Sequence, residues 1–225
     1  MKKFFLFAAA ALAAMTINAE QITFSVDKPA GDGVVYADGG FKLSLVDTDG
    51  KMAVDANNCY FGDAKEQVKF EARLKTGGKS AGKNNLTLTI PTAGTLYLYP
   101  RTGSNSATDR NVTLTQNDNI IFDEVMLESN AIEVPGLDSK EPEKMTKVYP
   151  VYSVAVSAGE VKIGYTAGSI NFYGFSLGAP IAPEEGQGID ELLVAPKTNK
   201  VVYKGQVVIV KEGRMFNLLG AEVLK

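Results

Sequence analysis

Two segments of the chain combine basic side chains with small polar residues, a composition typical of loops that hold polar ligands. They span 75–85 and 101–110, and their basic residues are Lys75, Lys79, Lys83, Arg101 and Arg110. A guanidinium group binds a carboxylate, such as that of an acidic sugar, through two parallel hydrogen bonds. Asn105 and Asp109 in the second segment are suited to hydrogen bonds with hydroxyl groups.

The same basic residues also have a purely structural interpretation, in which they pair with acids of a neighbouring segment. The acids of that segment, 127–147, are Glu128, Glu133, Asp138, Glu141 and Glu143. Exposed ion pairs are common on protein surfaces and contribute little to stability. Both interpretations stand at this stage.

The chain contains no histidine, and this excludes several classes of catalytic and metal site. Ser-His-Asp and Cys-His catalysis need an imidazole base, and His-ligated metal sites need imidazole ligands. Cys59 is the single cysteine, and because no histidine is present to activate its thiol we interpret it as a small buried residue rather than a nucleophile. No local pattern nominates two of the 26 acidic residues as a hydrolytic pair. We predict a non-catalytic protein with no cofactor and no bound metal.

Two short motifs resemble ligand loops but lack the rest of the pattern. The segment 47–50, Asp-Thr-Asp-Gly, lacks the spaced carboxylates of a calcium loop, and we predict a hairpin turn there. The Gly-Lys-Ser triplet at 78–80 lacks the upstream glycine and the following helix of a phosphate loop.

The elements that must position the two basic segments are β-strands. Apolar and polar residues alternate in 68–74, 86–90 and 112–114, which is the period of a half-buried strand. Further strand signals lie at 41–46, 96–99, 120–125, 151–156, 161–165 and 170–175. The sequence predicts an all-β protein, a jelly-roll-like antiparallel β-sandwich over 20–178. Tyr97 and Tyr99 alternate with leucines, which predicts that both lie on the outer face of the sandwich.

Antiparallel pairing also predicts where the loops gather. If each strand reverses direction, the long connections meet at one end of the sandwich and the short joints at the other. The long connections are 75–85, 101–109 and 127–147, and the short joints are 91–94, 117–119 and 157–160. A strand at 131–134 would change the later assignments. Because binding residues usually lie on loops of a rigid scaffold, we expect the ligand at the long-loop end.

Both ends of the chain indicate export. Two lysines and the apolar run 4–15 predict a signal peptide over 1–19, too short to span a bilayer, so we expect no transmembrane segment in the mature chain. Residues 179–190 have the composition of a linker, which separates 191–225 as a second small domain. The net charge of −3 gives no support for nucleic-acid binding.

The C-terminal residues carry a recognisable pattern. A β-branched run at 207–210 lies between Gly205 and Gly213, and Phe216, Asn217 and Leu218 follow. This resembles the C-terminal sorting domain of type IX secretion cargo. The resemblance implies a small β domain at 191–225 that the secretion machinery recognises, and delivery through the periplasm to the surface or medium of a Gram-negative bacterium.

A second resemblance covers 68–178. The segments 70–78, 99–104, 109–110 and 168–175 are similar to the carbohydrate-binding-like β-sandwich found beside pectate lyases and other secreted polysaccharide enzymes. The resemblance places Arg73, Lys75, Arg101 and Arg110 at recurring positions of that family, without an assigned ligand role.

The sequence thus predicts an exported, non-catalytic protein that binds a polysaccharide or glycan. The candidate ligand-binding residues are Arg73, Lys75, Tyr99, Arg101, Asn105, Asp109 and Arg110. A structural or adhesive surface protein without a glycan ligand is the alternative, and a polysaccharide hydrolase or lyase is the third interpretation.

Overall fold

The structure is a computed structural model that describes residues 19–80, 83–137 and 141–183, and three backbone strands between 199 and 216. The chain divides into two compact units between residues 188 and 189. The described part of the first unit is all-β, as predicted, and a one-turn 3-10 helix spans Glu128–Asn130. Its strands are β1 (Glu20–Thr23), β2 (Val35–Asp38), β3 (Phe41–Asp47), β4 (Ala53–Gly62), β5 (Gln67–Lys75), β6 (Asn84–Ile90), β7 (Gly94–Thr102), β8 (Asn111–Gln116), β9 (Asn119–Val125), β10 (Ile132–Pro135), β11 (Met145–Tyr149), β12 (Tyr152–Val156), β13 (Gly159–Gly164) and β14 (Ile170–Leu177).

These strands form two sheets. The eight-stranded sheet has the order β10-β11-β4-β5-β14-β7-β12, with β1 also paired to β14. The six-stranded sheet has the order β2-β3-β6-β13-β8-β9. Every described pairing in them is antiparallel except that of β11 with β4.

The main core lies between the two sheets and follows from strand alternation. Leu86, Leu88 and Ile90 of β6 are buried, while the threonines between them are partly exposed. Leu96 and Leu98 of β7 belong to the same core from the other sheet. Strands β6 and β7 therefore turn these apolar side chains toward each other's sheet, which is how a sandwich buries its apolar surface.

The eight-stranded sheet curls strongly. Strands β11 and β12 stand five positions apart in the sheet order, which in a flat sheet would separate them by about 24 Å. Only Pro150 and Val151 connect them, and the step from Tyr149 to Tyr152 covers at most about 11 Å. The sheet must therefore bend until its two margins approach each other.

A second hydrophobic cluster, here called the aromatic cluster, fills the concave side of this curl. It consists of the buried residues Cys59, Phe61, Val68, Phe70, Tyr99, Tyr149 and Tyr173. On β7, Tyr97 and Tyr99 contact this cluster whereas Leu96 and Leu98 contact the main core, so the two clusters lie on opposite faces of the sheet. Phe61 holds the cluster together, with ring centroids 5.1 Å from Tyr173 and 5.7 Å from Tyr99.

The predicted segregation of long and short connections is confirmed. At one end, Thr76 donates its backbone N–H to Ile170, and Gly103 donates its own to Ser169. At the other end, Gly94 pairs with Val156, and the Gln116 side chain exchanges two hydrogen bonds with Ser157.

The segment 127–147 departs from the predicted alternation of strand directions. The candidate strand at 131–134 exists as β10. Like β9, it runs toward the long-loop end, because it is antiparallel to β11, and β11 is parallel to β4, whose first residue pairs with Lys75 at that end. Strands β11 and β12 also share one direction across Pro150. Because these two departures cancel, each later turn lies at the end of the sandwich that was predicted for it.

The predicted hairpin at 47–50 is wrong. Strand β3 belongs to the six-stranded sheet and β4 to the eight-stranded sheet, so this turn carries the chain from one sheet to the other. Gly50, at φ 67°, and its hydrogen bond to Asp47 do form a tight turn. Turn residues set a reversal of direction but not the sheet that the next strand joins.

The described strands of the second unit form a three-stranded antiparallel sheet: β15 (Asn199–Tyr203), β16 (Gln206–Lys211) and β17 (Arg214–Phe216). The predicted signal peptide lies outside the described residues apart from Ala19, as do 184–198 and 217–225. Within the described residues, no helix has the length and hydropathy needed to span a membrane.

Candidate functional site

A row of polar residues crosses the eight-stranded sheet near the long-loop end. Asn171 of β14 is the register partner of Lys75 on one side and of Arg101 on the other. Directly opposed residues of antiparallel strands project from the same face, so these side chains share one surface. It is the face of the aromatic cluster, because Arg101 follows Tyr99 by two residues.

One side of this row is an ion cluster around Asp55. Arg73 donates from Nε to Asp55 Oδ1 at 2.9 Å, and the Lys75 ammonium lies 3.0 Å from Asp55 Oδ2. Burial alone would raise the pKa of Asp55, but the hydrogen bonds and charges of Arg73 and Lys75 hold it below its ordinary value. Two cations thus share one carboxylate.

The other side is an ion cluster around Glu128. Arg101 donates from Nη2 to Oε1 at 3.1 Å and from Nε to Oε2 at 3.3 Å. Lys147 Nζ and the Tyr149 hydroxyl also donate to Oε1, at 3.0 and 2.8 Å. The Arg101 guanidinium stacks 4.7 Å from the centre of the Tyr149 ring. Burial alone would raise the pKa of Glu128, but the hydrogen bonds from these donors and the charge of Arg101 hold it below its ordinary value.

Two β-bulges place the residues between these clusters. The register shifts by one residue in β4 between Ala56 and Cys59, and in β14 between Phe172 and Phe175. The two bulged segments meet, because the Tyr173 hydroxyl donates to Asn57 Oδ1 at 2.6 Å. Bulges commonly redirect side chains beside functional sites.

An open cavity of about 330 Å³ adjoins the Glu128 cluster. Its lining offers a guanidinium, two ammonium groups, amide and hydroxyl groups and two aromatic rings, from Asn58, Cys59, Tyr60, Arg101, Lys144, Thr146, Lys147 and Tyr149. Polar groups of this variety, combined with ring faces, suit a ligand that carries hydroxyls and a charge. Burial raises the pKa of the Cys59 thiol to about 11, which leaves it protonated and unreactive.

The structure brings together part of the predicted site. Arg73 and Lys75 share Asp55, and Arg101 also donates to Asn105 Oδ1 at 3.4 Å. Arg101 pairs with Glu128, one of the acids that the structural interpretation named, while Asp138 lies outside the described residues.

Tyr99 does not belong to a ligand surface. Tyr99 is fully buried in the aromatic cluster, and its hydroxyl accepts a hydrogen bond from the backbone N–H of Ile181 at 2.7 Å. The sequence placed Tyr99 correctly on the face away from the main core, but the curl of the sheet covers that face. We therefore remove it from the candidate set.

Arg110 and Asp109 form a separate contact at the tip of the long-loop end. The Arg110 guanidinium lies across Gly168, where a Cβ would collide with it, and donates to the Ala167 carbonyl at 3.3 Å. Asp109 Oδ1 is 3.8 Å from Arg110 Nε. Arg110 thus braces the loop before β14 rather than joining the row of Lys75 and Arg101.

Sequence reasoning missed four members of the site: Asp55, Lys147, Tyr149 and Asn171. Asp55 lies on β4, next to Arg73 only through strand pairing. Lys147 and Tyr149 reach Glu128 because β11 pairs with the end of β4, far away in sequence. A signal for Tyr149 was its position in an apolar run beside Pro150, which indicates a buried strand end.

The turn at 47–50 is stabilised by hydrogen bonds. Asp47 accepts the backbone N–H groups of Lys51 and Met52 at 2.9 and 3.0 Å. With its amide nitrogen turned toward the carboxylates, Asn84 donates to Asp49 at 2.6 Å and to Asp47 at 3.1 Å. Among the described residues, no three His, Cys, Asp or Glu side chains are grouped to hold a metal ion.

No protein-family model and no curated protein matches the chain. Among solved structures, three catalytic domains of GH87 alpha-1,3-glucanase are similar, two in complex with tetrasaccharides and one with nigerose. Their sequence identity is 10–11%, the TM-score is 0.32, and the match covers 65–67% of this chain. The chain spans only about 30% of those domains. At this level the similarity supports no conclusion about fold or activity.

Proposed function

We propose that this protein is an exported, non-catalytic glycan-binding protein. Its binding surface is the charged face, defined as Asp55, Arg73, Lys75, Asn171, Arg101, Glu128 and Lys147 with the adjoining cavity. The proposed surface is at the predicted long-loop end, but on the sheet beside the loop tips rather than on the tips themselves. The lack of histidine and the unreactive Cys59 support a binding role without catalysis.

One observation carries the proposal: four cations share two carboxylates. Asp55 pairs with Arg73 and Lys75, and Glu128 pairs with Arg101 and Lys147. The charged face therefore carries an excess of positive charge on a chain whose net charge is −3. A local excess of this kind attracts an anionic ligand, and the arginines add directional hydrogen bonds.

The polymer expected on this face is a glycan with acidic sugars. A sugar chain presents many hydroxyl groups, which the amide of Asn58 and the hydroxyl of Thr146 in the cavity are suited to bind. The two ends of the chain support export, because the N-terminal segment resembles a signal peptide and 191–225 resembles a type IX sorting domain. Under this proposal the first unit meets its ligand outside the cell.

The test is binding of the chain from residue 20 onward to polygalacturonate and to its methyl-esterified form. We expect binding to the acid form and weak binding to the ester, because esterification removes the charge. A Lys75→Ala/Lys147→Ala double variant removes the more exposed cation of each cluster and should weaken binding about tenfold or more. Lys42→Ala is the matched control, because Lys42 is an exposed lysine on the six-stranded sheet.

Equal binding of the acid and the ester by wild type and double variant would contradict the proposed surface. Absence of binding to a wider panel of acidic and neutral glycans would contradict the function itself. The single variants Arg101→Ala and Arg110→Ala distinguish a site on the sheet from a site at the loop tip. We expect Arg101→Ala to lose glycan affinity and Arg110→Ala to change it little.

A further inference from the structure

The carboxylate of Glu128 is bound as a ligand would be. It accepts four hydrogen bonds from three side chains, two of them from Arg101 and one each from Lys147 and Tyr149. Three of the donors meet at Oε1, and Arg101 reaches both oxygens. We call these three donor residues the cradle.

The cradle is built on regular strands. Arg101 lies near the end of β7, and Lys147 and Tyr149 lie in β11. Tyr149 is buried in the aromatic cluster, and its ring supports the Arg101 guanidinium from below. Donors held in this way are preorganised for a carboxylate, since little order is lost when one binds.

The residue that fills the cradle stands on a much weaker element. Glu128 begins a 3-10 helix of three residues that buries none of them and has no side-chain cap. The hydrogen bonds that the Asn130 amide donates there, to Val125 and Tyr152, are long, at 3.4 and 3.3 Å. Segments with few buried groups open locally at a lower free-energy cost than the sheet beneath them.

The cradle is also within reach of an external group. Arg101, Lys147 and Tyr149 all line the open cavity of about 330 Å³, so a ligand in that cavity lies beside the donors that hold Glu128. A carboxylate entering from the cavity has the same charge and geometry as the one already bound.

We propose that Glu128 is a resident occupant of a carboxylate-binding cradle, and that a carboxylate of an acidic glycan takes its place. The inference rests on the proposed function and gives it a mechanism. Glu128 lowers the apparent affinity for acidic ligands by the fraction of molecules in which it occupies the cradle. Neutral glycans gain nothing when it leaves, so Glu128 sets both affinity and selectivity.

The test uses two Glu128 variants and two probes. Glu128→Gln keeps the shape and removes the charge, and Glu128→Ala empties the cradle. Trigalacturonate and its methyl ester are titrated calorimetrically into wild type and variants. We expect trigalacturonate to bind about tenfold more tightly to Glu128→Gln, and more tightly still to Glu128→Ala, if the resident is bound in most molecules. The ester should bind equally to all three.

Glu160→Gln is the matched control, because Glu160 is an exposed acid on β13 of the six-stranded sheet, opposite Thr89, and touches no member of the cradle. It should leave the affinity for both probes unchanged, which excludes a general effect of lowering the negative charge. Circular dichroism confirms folding, and if Glu128→Ala does not fold, Glu128→Gln alone decides.

Unchanged or weaker binding of trigalacturonate by folded Glu128→Gln would overturn the inference and assign Glu128 the role of positioning Arg101. Failure of the proposed function looks different. In that case no glycan binds any variant, yet acetate at millimolar concentration still shifts the NMR signals of Tyr149 in Glu128→Ala and not in wild type. That result would keep the cradle and reject the glycan.

Discussion

The outer surface of the six-stranded sheet and the concave face of the eight-stranded sheet are built from similar strands but differ in solvent exposure. On β6 and β8, threonines alternate with buried leucines and stay partly exposed. On β14 all eight residues are buried, and on β7 the alternating positions divide between two hydrophobic clusters. The first pattern gives a solvent-exposed face, here called the plain face. The second gives a face that the aromatic cluster covers, with the ion clusters of Asp55 and Glu128 at its edge.

The residues between the core positions therefore indicate whether a second layer covers a sheet. Alternating threonine indicates one buried face, whereas tyrosine, phenylalanine and glycine in those positions indicate two. The second layer here is the curl itself, with Tyr149 of β11 in the aromatic cluster and Ala131, Val151 and Ile181 packed against it. Ile181 packs against that cluster, so the start of the predicted linker belongs to the first unit.

The greatest loss of stability should come from removing the central ring of the aromatic cluster. Phe61 is fully buried and contacts four aromatic rings, so Phe61→Ala should cost about 3–5 kcal/mol in the free energy of unfolding. Thr89→Ala on the plain face should cost about 1 kcal/mol or less. Urea unfolding of the two variants measures both values. Similar losses would contradict the distinction between a covered and an open face.

A second effect concerns the rim of the covered face. Arg101→Met keeps most of the stacking on Tyr149 but leaves Glu128 without its bidentate partner, and should cost about 2 kcal/mol. Arg73→Met should cost about 1 kcal/mol, because Asp55 is more exposed than Glu128 and keeps Lys75. Denaturant midpoints rank the two, and the reverse order would contradict the assignment of the stronger site to Glu128.

A third effect concerns stability at low pH. The donors of the cradle hold the pKa of Glu128 below its ordinary 4.5, so its stabilisation is fully present above pH 4.5 and is lost as pH falls through the lower folded value. Unfolding free energies measured between pH 7 and pH 3 should therefore decline less steeply for Glu128→Gln than for wild type. Parallel curves would show that Glu128 contributes nothing to acid sensitivity.

The smallest effect is expected on the plain face. Lys42→Ala removes an exposed side chain from β3 and should change the unfolding free energy by no more than about 0.5 kcal/mol. A thermal melt suffices to check it. A larger loss would mean that the six-stranded sheet carries a surface network comparable to that of the charged face.

The sequence predicted the strands well because alternation and turn residues act locally. The alternation of Leu86, Leu88 and Ile90 with threonines predicted both strand β6 and its buried face. The curl was not predictable, since it depends on Val148 of β11 pairing with Tyr60 of β4 across the chain. For the same reason the sequence offered Arg101 and Glu128 as possible partners but did not reveal Lys147, Tyr149 or Asp55.

The single thiol gives this fold a built-in reporter. Cys59 sits within the aromatic cluster, and its burial raises its pKa to about 11, so a thiol reagent reacts with it only when the surrounding packing opens. The labelling rate of the unmodified protein thereby measures how often the curl loosens, without any engineered probe. Occupancy of the cradle by an external acid would appear as a change in that rate.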